Sequence, residues 1–125
     1  MKKKIVLVED DEDLSLVLKA ILNNAGYDVM CLEGGSPIVN NQCSPPDLFI
    51  FDIKMKVIDG CALCKFVKLN NRTKDIPVVL MSCSHEYRKK ALEIGADHFL
   101  PKPLNIDSLL HTVEAIMSRP EFLSA

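Results

Sequence analysis

The sequence predicts an α/β fold in which helices cover both faces of a parallel sheet. Short apolar runs rich in β-branched residues alternate along the chain with segments whose apolar residues recur at helical spacing. Gly, Pro and Asn separate the two kinds of segment. This alternation requires parallel strands joined by right-handed crossovers. At 125 residues and 48% hydrophobic content, the chain is expected to form one domain with one core.

Strands are predicted where short apolar runs are bounded by turn residues. In chain order these runs are residues 4–8, 27–32, 48–51, 78–81 and 97–100. The third run ends abruptly at Asp52 and is followed by the turn residues Asp59 and Gly60. It therefore predicts a buried strand that delivers a carboxylate to the carboxyl edge of the sheet, where α/β folds bind ligands.

Helices are predicted where apolar residues form one stripe. They cover residues 12–24, a weak segment opening at 34–37, residues 61–70 and 84–94, and a last helix after Asn105. Gly26 and Gly95 are expected to end two of them, and Asn105 to cap the last. In the weak second helix, Ser36 is the predicted N-cap and Pro37 the first helical residue.

Pro120 is predicted to close the regular structure. Residues 1–119 are therefore assigned to the domain and residues 120–125 to a C-terminal tail. This tail is consistent with a natural end, the start of a linker or residues added by cloning.

Composition excludes several classes of function. A formal net charge of −2 offers no basic excess for a phosphate backbone, so no direct nucleic-acid contact is expected. No apolar run approaches the ~18 residues of a spanning helix, and Glu9 interrupts any signal-peptide core. We therefore expect a cytoplasmic chain without membrane contact. The odd number of cysteines, 5, predicts free thiols, with Cys61 and Cys64 as small buried residues on one helix face.

Polar side chains follow four of the predicted strands and should meet at one edge of the sheet. They are Glu9, Asp10, Asp52, Ser82 and Lys102. Crowded carboxylates need a cation, and all-oxygen ligation favours Mg²⁺, with Mn²⁺ as the alternative. An aspartate beside such a metal is a plausible nucleophile toward a phosphoryl group. Lys102 would supply a second positive charge, and Ser82 a hydrogen bond.

These residues stand in motifs that resemble the receiver domain of two-component response regulators. The motifs are VEDDED, PDLFIFDIKMKVIDG, PVVLMSCS and GADHFLPKP, and together they span nearly the whole chain. The resemblance implies a flavodoxin-like (βα)5 fold, a three-layer sandwich with strand order 2-1-3-4-5, which periodicity alone does not give.

The resemblance also implies a role for each residue at the carboxyl edge. Asp52 matches the phosphoacceptor, Asp10 a direct Mg²⁺ ligand, and Glu9 a ligand that acts directly or through water. The backbone carbonyl of Lys54 matches the remaining protein ligand. Lys102 matches the phosphate-binding lysine, and the proline after it is often joined through a cis peptide bond in this family.

A conformational switch is implied as well. Ser82 matches the switch hydroxyl and Phe99 the switch aromatic, which together shift an equilibrium on the face formed by the fourth helix, fifth strand and fifth helix. The implied partners are a sensor histidine kinase or histidine phosphotransfer protein, and an output protein or effector domain that the sequence does not identify. The chain would catalyse at most its own phosphorylation and dephosphorylation.

Two departures from the family pattern concern the loop after Asp52. Proline usually follows the methionine of this loop, whereas this chain has Met55 and then Lys56. Lys54 stands where its side chain can lie over the site. Both bear on the mobility of the loop and on the lifetime of an acyl phosphate.

Other readings of the same residues remain open. Taken singly, the acids at 9–13 suit a solvated helix start, Ser82 a strand-end cap, Lys102 a surface lysine and Phe99 the core. A receiver used only for docking or dimerisation, without phosphorylation, is one alternative function. A haloacid-dehalogenase-like phosphatase is another, but it needs a second acid two residues after the nucleophile, where this chain has Lys54.

Overall fold

The five parallel strands form one sheet in the expected order. The structure is a computed structural model that describes residues 2–119, so the predicted tail at 120–125 lies outside the described residues. The strands are β1 (Lys4–Val8), β2 (Asp28–Leu32), β3 (Leu48–Asp52), β4 (Val78–Ser82) and β5 (His98–Pro101). Their spatial order is β2-β1-β3-β4-β5. The flavodoxin-like fold is confirmed, and β3 lies at the centre of the sheet.

The helices fall close to their predicted positions. They are α1 (Glu12–Asn24), α2 (Ser36–Val39), α3 (Gly60–Leu69), α4 (Tyr87–Glu93) and α5 (Ile106–Met117). Asn105 caps α5 as predicted, because its side chain accepts a hydrogen bond from the backbone N–H of Ser108. Gly26 and Gly95 adopt φ angles of 104° and 107° one residue beyond the C-caps of α1 and α4, a conformation that favours glycine at helix ends.

Two predictions about helix starts are wrong. Helix α2 is a single turn whose N-cap is Gly35 rather than Ser36, and no side chain caps it. A Cβ at Gly35 would stand 3.0 Å from the side chain of Leu63, so a larger residue at this N-cap would crowd Leu63. Helix α4 begins at Tyr87 rather than Ser84. The backbone N–H of Ser84 instead bonds to the hydroxyl of Ser82, a local bond that competes with helix formation.

The apolar core is divided by the sheet into two clusters on its opposite faces, rather than forming the one core expected from the sequence. Phe49 and Phe51 of β3 point into the cluster beneath α3 and α4, whereas Leu48 and Ile50 point into the cluster beneath α1 and α5. This alternation follows the two-residue period of a strand that is buried on both faces. Cys61 and Cys64 are free and buried in the first cluster, as expected.

An ion-pair network closes the amino edge of the sheet. Asp97, just before β5, accepts a hydrogen bond from the backbone N–H of Val78 at 2.9 Å and pairs with Lys68 of α3 at 3.1 Å. Arg119 lies 3.4 Å from the other carboxylate oxygen. The Lys68 ammonium also donates to the carbonyl of Ile76. Helix α3, the neighbouring strands β4 and β5, and Arg119, which follows α5, are therefore linked at this edge. No helix among residues 2–119 is long and apolar enough to span a bilayer.

Candidate functional site

The polar residues predicted to meet do lie at the carboxyl edge of the sheet. Glu9 follows β1, and Asp52 is the last residue of β3. Ser82 ends β4, and Lys102 follows β5, where its backbone N–H donates to the carbonyl of Ser82 at 2.9 Å. Neighbouring strands in register thus carry residues distant in sequence to one place.

Lys102 forms ion pairs with two acidic residues of the site. Its ammonium lies 2.7 Å from Oε1 of Glu9 and 3.1 Å from Oδ1 of Asp52. Glu9 and Asp52 are only 2% and 5% exposed, so these ion pairs are shielded from bulk water. The peptide bond between Lys102 and Pro103 is cis, as the resemblance implied.

Burial and crowding set the protonation of this site. Burial raises the pKa of Glu9, and the negative charge of Asp52 raises it further, against the hydrogen bond from Lys102, which lowers it. Burial alone would lower the pKa of Lys102. The hydrogen bond to Glu9 and the attraction of Asp52 outweigh burial, so the pKa of Lys102 is raised. Lys102 is therefore protonated at neutral pH and balances only part of the acidic charge.

The remaining acidic charge has a geometry that suits a metal ion. Carboxylate oxygens of Glu9, Asp10 and Asp52 all lie within 4.8 Å of one another. Asp10 is exposed while the other two are buried, so the cluster opens toward solvent on one side. Three carboxylates and no sulfur or nitrogen donor match the ligand preference of Mg²⁺. The donor set therefore fits the predicted ion.

Ser82 and Phe99 are buried residues of the neighbouring strands β4 and β5. Ser82 is 1% exposed, and its hydroxyl accepts from the backbone N–H of Ser84 at 3.1 Å. Its described hydrogen bond thus goes to the turn before α4, and not to Lys102 or Asp52. Phe99 is 2% exposed, and the Arg88 guanidinium lies 5.4 Å from its ring centroid. This cation–π contact links α4 to β5.

Gly60 is a positioning residue that the sequence did not single out beyond marking a turn. A Cβ at Gly60 would stand 2.3 Å from the backbone oxygen of Asp52, closer than any real contact. Its N–H also donates to the carbonyl of Ile53 at 2.8 Å. The backbone at the start of α3 therefore packs directly against the end of β3. The Asp59-Gly60 dipeptide was the only available signal, because the clash depends on the distance between two backbones.

Comparison with known proteins identifies the family. The family model of the response regulator receiver domain matches residues 5–114, so the chain belongs to this family of two-component signalling proteins. The chain is 33% identical over 129 residues to the phosphate regulon transcriptional regulatory protein PhoB of Rhizobium meliloti, covering 99% of this chain and 57% of that protein. It is 31% identical over 124 residues to the alkaline phosphatase synthesis transcriptional regulatory protein PhoP of Bacillus subtilis, covering 97% and 51%.

Solved structures agree with this assignment. A putative response regulator from Chloroflexus aurantiacus superposes with a TM-score of 0.89 at 28% identity, covering 95% of this chain and all of that one. The chain spans about half the length of the first curated relatives it matches. The similarity therefore concerns the receiver portion of those proteins.

Proposed function

We propose that residues 1–119 form a receiver domain that accepts a phosphoryl group on Asp52 from a phosphohistidine. The donor is a sensor histidine kinase or a histidine phosphotransfer protein. The observation that carries the proposal is the carboxylate of Asp52, held 3.1 Å from the Lys102 ammonium beside the acids Glu9 and Asp10. A carboxylate flanked by one fixed cation and a metal-compatible acid cluster suits phosphoryl transfer, which depends mostly on positioning and charge neutralisation.

The transfer exchanges one bond for another. An Asp52 carboxylate oxygen attacks phosphorus while the bond from phosphorus to the imidazole nitrogen of the donor breaks. The product is an acyl phosphate on Asp52 and a free histidine on the donor. Lys102 is protonated and already within 3.1 Å of Asp52, so its ammonium can donate to an oxygen of the arriving phosphoryl group.

The acid cluster is proposed as the metal site. Glu9, Asp10 and Asp52, with the backbone carbonyl of Lys54, would hold Mg²⁺, and Mn²⁺ suits the same oxygen ligands. When bound, the ion supplies positive charge that neutralises the phosphoryl oxygens. The exposed position of Asp10 leaves this side of the cluster open to ion and donor.

Ser82 and Phe99 are proposed as the switch. The Ser82 hydroxyl accepts a hydrogen bond from the backbone N–H of Ser84, and its own hydrogen can be donated to a phosphoryl group on Asp52. Because the bond to Ser84 joins this hydroxyl to the turn before α4, a movement of Ser82 toward the phosphoryl group changes the entry into α4. Phe99 and Arg88 then transmit the change to the α4-β5-α5 surface. Output would pass through that surface to an output protein or to an effector domain.

The alternatives have weaker support. A docking receiver without phosphorylation has no need of the acid cluster, yet Glu9, Asp10 and Asp52 are all present and close together. A phosphatase of the haloacid-dehalogenase type needs a general acid two residues after the nucleophile, a place that Lys54 takes.

Phosphorylation with a small donor tests the proposal. Incubation with acetyl phosphate and Mg²⁺ should add one phosphoryl group, seen in the intact mass, that is stable in acid and lost in base. Asp52→Asn should not acquire it because the nucleophile is gone, while Asp107→Asn, an exposed acid in the first turn of α5, should behave as the wild type. A phosphorylated Asp52→Asn protein would show that the nucleophile is elsewhere.

A further inference from the structure

A cleft with basic walls opens beside the acid cluster. It lies between the turn after β3 and the start of α4, with a volume of about 420 Å³. Its lining includes three lysines, two acids and an aromatic ring, namely Lys54, Lys56, Lys90, Asp10, Asp59 and Tyr87. We call the part formed by Lys54, Lys56 and Lys90 the lysine cleft. Asp10 belongs both to this cleft and to the acid cluster, so the two are continuous.

The three lysines of this cleft have no acidic partner among the described residues. Other lysines of the chain do have one, as with Lys68, Lys89 and Lys102. Lys54 makes only a distant contact, with its ammonium 6.0 Å from the centroid of the Tyr87 ring. Burial raises the pKa of the Cys61 thiol on the opposite wall of the cleft, and the positive charge of Lys90 lowers it by a smaller amount. The charge of Lys90 therefore acts across the cleft.

The two acids in the cleft cancel only part of the positive charge of its three lysines. The carboxylate of Asp59 caps α3, accepting from the backbone N–H of Ala62 at 2.7 Å. Asp10 faces the acid cluster. Three lysines thus line a concave surface together with two acids. One of these acids caps α3, and the other also belongs to the acid cluster. Such a surface attracts an anion and aligns it through hydrogen bonds.

We propose that the lysine cleft binds a carboxylate carried by the phosphodonor, next to the phosphoryl group that is being transferred. The cleft would then select donors that carry an acid beside the reacting group over donors that do not. This inference rests on the proposed role of Asp52. The transfer itself is unchanged: a phosphorus bond to Asp52 forms, and the bond to the leaving carboxylate or imidazole breaks.

A pair of small donors measures the selection. Phosphorylation rates of the full chain with Mg²⁺ are compared for benzoyl phosphate and para-carboxybenzoyl phosphate. Each exposed ion pair of this kind changes a rate by up to roughly fivefold, so the cleft should favour the carboxylated donor by about that factor beyond the difference in intrinsic reactivity. The preference should shrink at high salt because exposed charges are screened.

Matched lysine variants assign the preference to the cleft. The two donors differ in intrinsic reactivity, so the quantity to compare is the ratio of their rates in each variant. In the double variant Lys56→Gln/Lys90→Gln, this ratio should fall by roughly fivefold relative to the wild type. In Lys89→Gln the ratio should stay the same, because Lys89 directly precedes Lys90 on α4 but pairs with Glu93 outside the cleft.

A second pair of donors distinguishes a protein source of the carboxylate from a small-molecule source. Two phosphohistidine peptides are compared, one with Glu and one with Gln on both sides of the histidine. A preference for the Glu peptide that is lost in the double variant assigns the carboxylate to a protein donor. A preference confined to the acyl phosphates assigns it to a small molecule. Equal ratios in wild type and double variant for both pairs overturn the inference.

Failure of the proposed function can be told apart from failure of the inference. If neither acyl phosphate modifies Asp52, the phosphoacceptor role fails. The cleft is then tested by NMR titration with terephthalate, with benzoate as control. Larger amide shifts for terephthalate in residues 54–59 and 87–90 support the anion site, provided that the double variant loses them. Identical shifts for the two compounds overturn it.

Discussion

The two edges of the sheet use the same chemical groups in opposite proportions. At the amino edge, one carboxylate, Asp97, meets two cations and a backbone N–H, so all of its charge is matched. At the carboxyl edge, one ammonium, Lys102, meets two carboxylates and a third lies within ligand distance. The carboxylate at the amino edge therefore has a partner for all of its charge, whereas the carboxyl edge keeps an excess of negative charge.

This difference separates a stabilising site from a reactive one. Removing one partner from a shielded ion pair that also makes hydrogen bonds is destabilising, because the remaining groups are left without a partner. An unsaturated cluster of carboxylates destabilises the fold through repulsion, but it can bind a cation and attack an electrophile. We therefore expect removal of a carboxylate to have opposite effects on stability at the two edges.

The largest effect is expected at the amino edge. Asp97→Ala removes the partner of Lys68 and leaves the buried N–H of Val78 without an acceptor. Because both groups are mostly shielded from water, the free energy of unfolding should fall by about 3 kcal/mol, measured by urea denaturation. The rate of phosphorylation by acetyl phosphate at low temperature should change little, since the carboxyl edge is untouched.

Two further variants separate charge from hydrogen bonding at this edge. Asp97→Asn keeps an acceptor for Val78 and loses only the charge, so it should recover part of the stability. Asp75→Ala removes an exposed acid from the loop before β4 and should change the unfolding free energy by no more than about 0.5 kcal/mol. An Asp97→Ala protein as stable as Asp75→Ala would contradict the description of the amino edge as stabilising.

A smaller loss of stability is expected when the close contact between Gly60 and the backbone of Asp52 is disturbed. Gly60→Ala places a methyl group against the backbone oxygen of Asp52, so the start of α3 must move away from β3. The free energy of unfolding should fall by about 2 kcal/mol, and phosphorylation should slow because the backbone of Asp52 shifts. Gly34→Ala, where a Cβ meets nothing within 4 Å, should leave both quantities nearly unchanged. Equal stability and equal phosphorylation rates of the two variants would show that α3 can move away from β3 without destabilising the protein.

Local patterns were enough to predict the strands and most of the site. The apolar run that ends at Asp52 identified β3, and acids or polar residues after other strands identified Glu9, Ser82 and Lys102. Parallel strands share one carboxyl edge whatever their order, so these residues could be expected to meet before the order was known.

Features that depend on distances between elements could not be predicted. The hydrogen bond from Lys102 to Glu9 spans 93 residues and depends on the register of three strands. The late start of α4 coincides with a bond from the backbone N–H of Ser84 to the hydroxyl of Ser82, which no hydrophobic period reveals. The approach of Gly60 to Asp52 and of Arg88 to Phe99 likewise follows only from packing.

The smallest effect is expected from a neutral substitution in the acid cluster. Asp10 forms no ion pair with another described residue, so Asp10→Asn relieves repulsion from Glu9 and Asp52 without losing a partner. With divalent ions removed by a chelator, the variant should melt roughly 2 °C higher than the wild type. Adding Mg²⁺ should raise the melting temperature of the wild type and scarcely that of the variant, because the ion binds the folded wild type preferentially.

The order of stability of the two proteins should therefore reverse when Mg²⁺ is added. Asp75→Asn provides the control, since it removes an equal charge away from the cluster and should track the wild type in both conditions. Reversal links the repulsion in the folded protein to its affinity for the ion, because the same three carboxylates cause both. If Asp10→Asn melts lower than the wild type in chelator, repulsion among the carboxylates does not destabilise the carboxyl edge. The two edges then differ in the arrangement of their groups and not in electrostatic strain.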